Sequence, residues 1–198
     1  MAQRIIGIDP GLNHTGWGII EVDGPHRRYI AGGTIEPPKT NLAQRLQTIH
    51  QGLFELCERF QPELGACEIA FVNRNPQSTM LLCQARGAAL SALGRFGLEV
   101  EEFEPSVVKK SIAGSGRASK ENVQAAIVLW LQLETTLEKS PDMADALAIA
   151  LCAAHHQRLG ALQASSPSTG LSVYASARSH NQGKRSRAQW TLFVSSKK

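Results

Sequence analysis

The chain has 198 residues, with 21 Lys and Arg against 17 Asp and Glu and a net charge of +4. This length suits one domain with a sizeable core. No apolar run approaches the ~20 residues that span a bilayer, and the N-terminus lacks the pattern of a signal peptide. The four cysteines form no CxxC motif and no pair with histidine, so we expect reduced, mostly buried thiols and no zinc site. These features predict a cytoplasmic protein without membrane association.

The positive charge is unevenly distributed along the chain. Residues 161–198 contain six basic side chains and no acidic one, which leaves 15 of the 21 basic and all 17 acidic side chains in residues 1–160. Within that part, residues 105–120 contain four basic side chains and no acid. Such a segment suits a polyanionic partner, although a solvated loop with ordinary surface lysines explains it equally well.

The first part of the chain predicts three strands and a helix. Short apolar runs at Arg4–Asp9, 15–22 and about 28–35 are typical of strands, and we expect them to form an antiparallel meander. A helical apolar period begins after Asn41, a favourable N-cap, and stops before Pro62.

The second part predicts two more strands and four helices. Residues 64–70 and 98–103 have the apolar character of buried strands. Capping residues mark the starts of three of the helices: Asn75-Pro76, Ser119 and Ser140-Pro141. The predicted helices cover about 76–96, 106–112, 120–133 and 141–159.

The order β-β-β-α-β-α-β-α-α-α predicts an α/β domain over residues 1–160, with a mixed five-stranded sheet and helices on both faces. Residues 161–198 contain nine serines and little periodicity, which predicts a basic, disordered tail. The tail includes one short apolar patch, Trp190–Val194, which is a candidate partner-binding peptide.

Two carboxylates occur in or at the ends of predicted buried strands. Asp9 precedes a Pro-Gly turn, at the sheet edge where open α/β sheets place their sites. A turn-capping role explains Asp9 equally well. Glu68 lies among small and apolar residues, where burying an uncompensated carboxylate costs several kcal/mol. We therefore expect a cation beside Glu68, either a Lys or Arg side chain or a metal ion.

Two further carboxylates, Asp142 and Asp145, are three residues apart at the start of the last predicted helix, so they share nearly one face. Complementation of the helix dipole explains Asp142 well and Asp145 less well, because Asp145 precedes an apolar run. Hard carboxylate oxygens without His or Cys suit Mg²⁺ or Mn²⁺. Four carboxylates can hold two such ions, an arrangement suited to phosphodiester hydrolysis. Asp9, Glu68, Asp142 and Asp145 are therefore the predicted catalytic residues and metal ligands of a metal-dependent phosphodiester hydrolase.

Five short motifs occur in a characteristic order and spacing. They are Gly7–Gly11 with Thr15-Gly16, Cys67–Phe71, Gln84–Gly87, Val108–Lys120 with Gly114–Gly116 inside it, and Asp142–Ala150. Together they resemble the RuvC family of Holliday-junction resolvases, which have the ribonuclease-H-like fold. The resemblance covers nearly all of residues 1–160.

This resemblance implies a homodimer that binds a four-way DNA junction and makes paired symmetric nicks in homologous recombination and DNA repair. A two-fold dimer matches the pseudo-two-fold symmetry of such a junction. The resemblance also implies that the four carboxylates are the metal ligands, and from their chemistry we expect two Mg²⁺ per subunit, replaceable by Mn²⁺. It further implies that the protein works with a branch-migration motor complex.

The resemblance assigns DNA contacts as well. Phe71 matches an aromatic residue that stacks on an unpaired base at the crossover, although a core phenylalanine suits the same strand position. Lys109 and Lys120 match basic residues that contact phosphates near the scissile bond. The other predicted DNA-binding residues are Arg74, Arg86, Lys110, which is adjacent to a matched position, and Ser115. The family usually ends soon after the last helix, so the tail is an addition that either raises nonspecific DNA affinity or is dispensable.

Three other functions remain open. An actin-like or sugar-kinase ATPase also begins with Gly-Ile-Asp, but it needs a second domain for which about 160 residues lack room. A ribonuclease-H-fold nuclease that cuts RNA or simple branched DNA would use the same ligands. A binding-only junction protein would keep the carboxylates for structure, and its function would survive chelation of Mg²⁺.

Overall fold

Alternating apolar side chains build one mixed five-stranded sheet. The computed structural model describes residues 2–70, 75–133 and 140–165, with the backbone alone for 161–165. The strands are β1 Gln3–Asp9, β2 Thr15–Asp23, β3 His26–Ile35, β4 Leu64–Glu68 and β5 Val100–Phe103. Their order across the sheet is β3-β2-β1-β4-β5. The β1–β2 and β2–β3 pairs are antiparallel, whereas β4 runs parallel to both β1 and β5.

Five helices connect and cover these strands in the predicted order. They are α1 Leu42–Phe60, α2 Pro76–Phe96, α3 Pro105–Ala113, α4 Lys120–Leu131 and α5 Pro141–Ser165. The predicted caps of α1, α2 and α4 are confirmed, because the side chains of Asn41, Asn75 and Ser119 accept hydrogen bonds from backbone N–H groups in the first turn. The predicted end of α5 near residue 159 is wrong: Gly160 costs the helix only about 1 kcal/mol, and the favourable Ala161 and Leu162 continue it.

Each face of the sheet has its own core. On one face, Ile5 and Leu64 pack with apolar side chains of α3, α4 and α5. On the other face, Ile6 and Ile8 pack with side chains of α1 and α2. This division follows from the two-residue alternation of side chains along a strand. The predicted mixed sheet with helices on both faces is therefore confirmed.

Glycines let α5 lie directly on the sheet. A Cβ atom at Gly7 would lie 2.6 Å from the backbone nitrogen of Ala150, and one at Gly16 would lie 2.6 Å from the carbonyl carbon of Asp142. Real Cβ atoms do not approach backbone this closely, so any larger residue would push the helix outward. The start of α5 is thus held against β2 beside the end of β1.

Three of the four cysteines, Cys57, Cys67 and Cys152, are buried free thiols, whereas Cys83 is exposed. This agrees with the prediction of reduced and mostly buried cysteines. Among the described ranges, no helix combines the length and apolarity that crossing a membrane requires.

Candidate active site

Two carboxylates stand side by side at the carboxyl ends of adjacent parallel strands. The β1–β4 register pairs Ile8 with Cys67, so Asp9 and Glu68 are the next residues along the two strands. Both side chains lie on the sheet face that α5 covers. Gly7, two residues before Asp9, contacts that helix, and Ala66, two residues before Glu68, packs in the same core cluster as the helix. The sequence placed Asp9 at the end of a strand and Glu68 within one. The structure ends β4 at Glu68, and the fold brings the ends of β1 and β4 together.

Side-chain hydrogen bonds restrain the turn that follows Asp9. Thr15 is completely buried, and its hydroxyl donates to the carbonyl oxygen of Gly11 at 2.7 Å. The guanidinium of Arg45 on α1 donates to the carbonyl oxygen of Leu12 at 2.8 Å. These bonds satisfy backbone groups that the turn leaves unpaired, so they restrict the position at which Asp9 leaves β1.

The first turns of α5 supply the other two carboxylates. Gly16 pairs with Asp9 across the β1–β2 ladder, and the backbone of Asp142 lies directly above Gly16. Asp145 follows three residues later, on nearly the same face of the helix. Residues that are more than 130 positions apart in the sequence therefore meet at one end of the sheet.

Burial and the neighbouring acids raise the pKa values of Asp9 and Glu68. Burial, and then the charges of Asp145, Glu68 and Asp142, raise the pKa of Asp9 to about 7, against a smaller opposing effect of Lys120. Burial and Asp145 also raise the pKa of Glu68, which the nearby Lys109 lowers. The site thus has an excess of negative charge that favours cations.

A lysine side chain lies among these carboxylates. Lys120, the first residue of α4, forms an ion pair with Asp145, with 2.9 Å between Nζ and Oδ2. Its hydrogen bond to Asp145 is the main cause of the raised pKa of Lys120. The pair is partly exposed to solvent, so it is accessible to exchange.

Two clefts open at the carboxylates. One, of about 210 Å³, is lined by residues that include Asp9, Glu68 and Arg86. The other, of about 270 Å³, is lined by residues that include Glu68, Lys109, Lys120 and Asp145. Glu68 lines both clefts, so a ligand in either one lies against the acidic cluster and next to basic side chains.

The remaining predicted DNA-binding residues have different environments. Lys110 on α3 and Ser115 in the following loop are exposed, and the Ser115 hydroxyl accepts a hydrogen bond from the backbone N–H of Arg117. Arg86 on α2 is half-buried and bonded inside the protein. Phe71 and Arg74 lie outside the described residues.

The donor set fits a hard divalent ion in chemistry and charge. Four carboxylates without His or Cys are the ligands that Mg²⁺ and Mn²⁺ prefer. The charges of Asp145, Glu68 and Asp142 all act on Asp9, so these acids lie in one region, and the ammonium of Lys120 pairs with one of them. However, no three Asp, Glu, His or Cys side chains of the described ranges stand in a metal-holding arrangement. Coordination therefore requires these side chains to draw together and Asp145 to exchange its partner.

Asp9→Asn is expected to stabilise the metal-free protein at alkaline pH. Because the pKa of Asp9 rises from 3.8 to about 7 on folding, the wild type loses stability as the pH rises through this range. The neutral amide removes this loss, so the variant gains up to about 4 kcal/mol at about pH 8, and less at about pH 5. Denaturant unfolding in EDTA at the two pH values measures this difference. A gain that does not grow with pH would contradict the electrostatic account.

Lys120→Met is expected to tighten divalent-ion binding by the free protein. An exposed ion pair is worth up to about 1 kcal/mol, so releasing Asp145 raises the Mn²⁺ affinity about fivefold. Titration calorimetry of DNA-free protein measures the change. Lys110→Met is the matched control, because it removes the same charge while the ion pair between Lys120 and Asp145 stays in place. Equal changes in the two variants would show that no specific exchange takes place.

Sequence reasoning missed two features of this site. It assigned Lys120 to DNA and did not foresee its ion pair with Asp145, since spacing of 25 residues carries no contact information. It also missed the contact between Arg86 and the backbone of Glu68. The glycines beneath α5 had a visible signal, because Gly7, Gly16 and Gly18 recur at alternate strand positions, where they weaken a strand unless another element approaches closely.

Known proteins resemble this chain over most of its length. The model of the family described as crossover junction endodeoxyribonuclease RuvC matches residues 5–153. The crossover junction endodeoxyribonuclease RuvC of Bordetella avium is 49% identical over 171 residues, covering 84% of this chain and 93% of that protein. The protein of the same name from Polaromonas sp. is 43% identical over 178 residues, covering 88% and 96%.

Solved structures give the same result. Thermus thermophilus RuvC in complex with Holliday junction substrate is 34% identical, with a TM-score of 0.75, covering 80% of this chain and 96% of that one. The yeast mitochondrial Holliday junction resolvase is 17% identical, with a TM-score of 0.59 and coverage of 81% and 84%, and it shares the fold. The fold predicted as ribonuclease-H-like is thereby confirmed, and the chain belongs to the RuvC family of crossover junction endodeoxyribonucleases.

Proposed function

We propose that this protein resolves four-way DNA junctions by paired, symmetric, metal-dependent hydrolysis of phosphodiesters in homologous recombination and DNA repair. The observation that carries the proposal is the meeting of Asp9, Glu68, Asp142 and Asp145 at one end of the sheet, with a cation already paired to one of them. Family membership and the junction named for the Thermus thermophilus structure support the choice of substrate.

The four carboxylates are the proposed metal ligands and catalytic residues. Asp9 and Glu68 sit on neighbouring strands whose relative position the sheet ladder holds, so they form the rigid half of the site. Asp142 and Asp145 come from a helix seated on glycines, so they form the other half. The proposed ions are two Mg²⁺ per subunit, with Mn²⁺ as a substitute, and they supply charge that activates water and stabilises the leaving oxygen.

Basic residues around the clefts are the proposed contacts to DNA. Lys109 is exposed and faces Glu68, and Lys120 faces Asp145, so both stand where a phosphate would approach the carboxylates. Their ammonium groups bind phosphate oxygens and leave the carboxylates free for metal. Further proposed contacts are Phe71, Arg74, Lys110 and Ser115.

The proposed assembly is a homodimer in the cytoplasm that works beside a branch-migration motor complex. Paired symmetric nicks require two equivalent active sites, and two-fold symmetry supplies them on a junction of matching symmetry. The buried free thiols agree with a reducing compartment.

Cleavage of defined DNA substrates tests the proposed function. A four-way junction, a linear duplex and an RNA–DNA hybrid of matched sequence are incubated with the protein, with Mg²⁺ or with EDTA. We expect symmetric nicks in the junction alone, and only with Mg²⁺. Cleavage of the hybrid, or cleavage of both linear substrates as fast as the junction, would support a general ribonuclease-H-fold nuclease instead. Junction binding that persists in EDTA, with no cleavage of any substrate in Mg²⁺, would support a binding-only protein.

We also propose that the chain divides into a nuclease domain, predicted over residues 1–160, and a basic tail. The boundary moves to residue 165, because α5 continues to Ser165. Deleting residues 166–198 keeps α5 intact and removes all six basic side chains of the tail. We expect unchanged cleavage and a shallower salt dependence of junction binding, by about 0.9 in logarithmic slope for each phosphate that the tail neutralises. Binding measured across a salt series gives the slope. An identical slope before and after truncation would rule out phosphate binding by the tail.

A further inference from the structure

Among the basic side chains near the carboxylates, Arg86 donates to the backbone of Glu68, whereas Lys120 pairs with the side chain of Asp145. Nε of Arg86, on α2, donates to the carbonyl oxygen of Glu68 at 3.2 Å. Nη2 of the same guanidinium donates to a carboxylate oxygen of Glu102 on β5. Only 21% of the Arg86 side chain is exposed. By contrast, Lys109 and Lys110 are exposed.

These bonds join three elements at the residue that ends β4. The backbone N–H of Ile69 donates to the carbonyl oxygen of Phe103 at 2.9 Å, which ties the end of β4 to β5 on one side. Arg86 then holds the preceding carbonyl, that of Glu68, from α2. Glu102 is the neighbour of Phe103 on β5 and anchors the guanidinium. The peptide after Glu68 is therefore restrained through both its N–H and its C=O groups.

This restraint matters because Glu68 is the last residue of its strand. Among the described residues beyond β4, none continues the pairing with β1, so the direction of the Glu68 side chain depends on its local backbone. A guanidinium that donates two bonds in a planar fork fixes orientation as well as distance, which an ammonium does not. A phosphate could reach this guanidinium only in competition with Glu102.

We propose that Arg86 is a positioning residue that orients Glu68 for divalent-ion binding, and that it does not act mainly as a DNA contact. The proposal rests on the proposed function, because Glu68 is taken as a metal ligand. It replaces the DNA-binding role that the sequence suggested for Arg86. Groups that orient metal ligands typically change metal affinity or activity by about 10- to 100-fold when they are removed.

Arg86→Lys separates the two roles, since lysine keeps the charge but not the fork. Titration of DNA-free protein with Mn²⁺ is expected to show about tenfold weaker binding. Junction affinity in EDTA is expected to stay within about twofold of the wild type, because one positive charge remains. Cleavage of the junction is expected to slow at low Mg²⁺ and to recover at high Mg²⁺. Unchanged Mn²⁺ affinity together with weaker junction binding would overturn the proposal.

Three further variants keep the test interpretable. Glu102→Gln removes the anchor of Arg86, and its lost negative charge also weakens cation binding, so it is expected to weaken Mn²⁺ binding more than Glu104→Gln does. Glu104 is a carboxylate of the same acidic run that bonds to Ser106 instead of Arg86. A DNA-contact role for Arg86 predicts similar weakening in these two variants. Arg95→Lys makes the same substitution in the last turn of α2, where Arg95 lies over Phe54, and is expected to leave Mn²⁺ affinity unchanged. Unfolding temperatures of all variants report any loss of fold.

The outcomes also distinguish this inference from the proposed function. If the wild type neither binds Mn²⁺ nor cuts the junction, the proposed function fails before Arg86 is tested. If the wild type does both and Arg86→Lys matches it at every Mg²⁺ concentration, only the positioning role fails. A rate that stays low at every Mg²⁺ concentration would indicate a general structural role and would also reject the proposal.

Discussion

Asp9→Asn is expected to abolish junction cleavage while leaving junction binding intact. The amide keeps the size of the side chain but removes a proposed metal ligand from the end of β1, within reach of the charges of the other three carboxylates. A loss of about 4 kcal/mol of transition-state stabilisation corresponds to about a thousandfold lower rate. Single-turnover cleavage in Mg²⁺ measures the rate, and a binding assay in EDTA measures junction affinity.

The matched control for this variant is Asp23→Asn. Asp23 is the one aspartate of the chain outside the proposed set, and it ends β2 at an exposed position. The control is expected to cleave at the wild-type rate. Nicking by Asp9→Asn at a rate similar to that of the control would remove Asp9 from the active site.

Gly16→Ala is expected to damage the fold and the site together. The added Cβ would overlap the carbonyl oxygen of Asp142 and lie 2.6 Å from its carbonyl carbon, and backbone atoms cannot rotate away as a side chain can. Overpacking of this kind costs about 3 kcal/mol. Relief by an outward shift of α5 would carry Asp142 and Asp145 away from Asp9. Denaturant unfolding and Mn²⁺ titration measure the two effects.

Gly94→Ala provides the comparison for this substitution. Beyond the local backbone of α2, no atom of the described residues lies within 4 Å of the position that a Cβ would take at Gly94, which is exposed on α2. Alanine is therefore expected to stabilise the protein by up to about 1 kcal/mol through helix propensity. A Gly16→Ala protein with wild-type stability and wild-type Mn²⁺ affinity would show that α5 does not sit on the sheet as described.

The architecture was predictable because its signals are local. Helix starts are marked by capping residues such as Asn75 and Ser119, and strands are marked by alternation such as that of Ile5, Ile6 and Ile8. Both signals lie within short windows of sequence, so they were enough to predict the type of each element. The end of α5 was not predicted correctly, because a single glycine at position 160 is a weak stop signal when good helix formers follow.

The site was predictable only in part, because its contacts join distant segments. Asp9 and Glu68 were suspected individually, since each carboxylate stands in or at the end of an apolar run. Their adjacency depends on the parallel register of β1 and β4, which no local pattern encodes. The sequence also treated Lys120 and Arg86 as equivalent basic residues. The structure separates them, because one is paired with Asp145 and the other holds the backbone of Glu68.

Anomalous diffraction from crystals soaked in Mn²⁺ tests most directly whether carboxylates from three parts of the chain form one divalent-ion site. We expect an anomalous peak among Asp9, Glu68, Asp142 and Asp145, with the Lys120 ammonium displaced from Asp145. Peaks located elsewhere, with Lys120 still paired to Asp145 at saturating Mn²⁺, would contradict this assignment of the site.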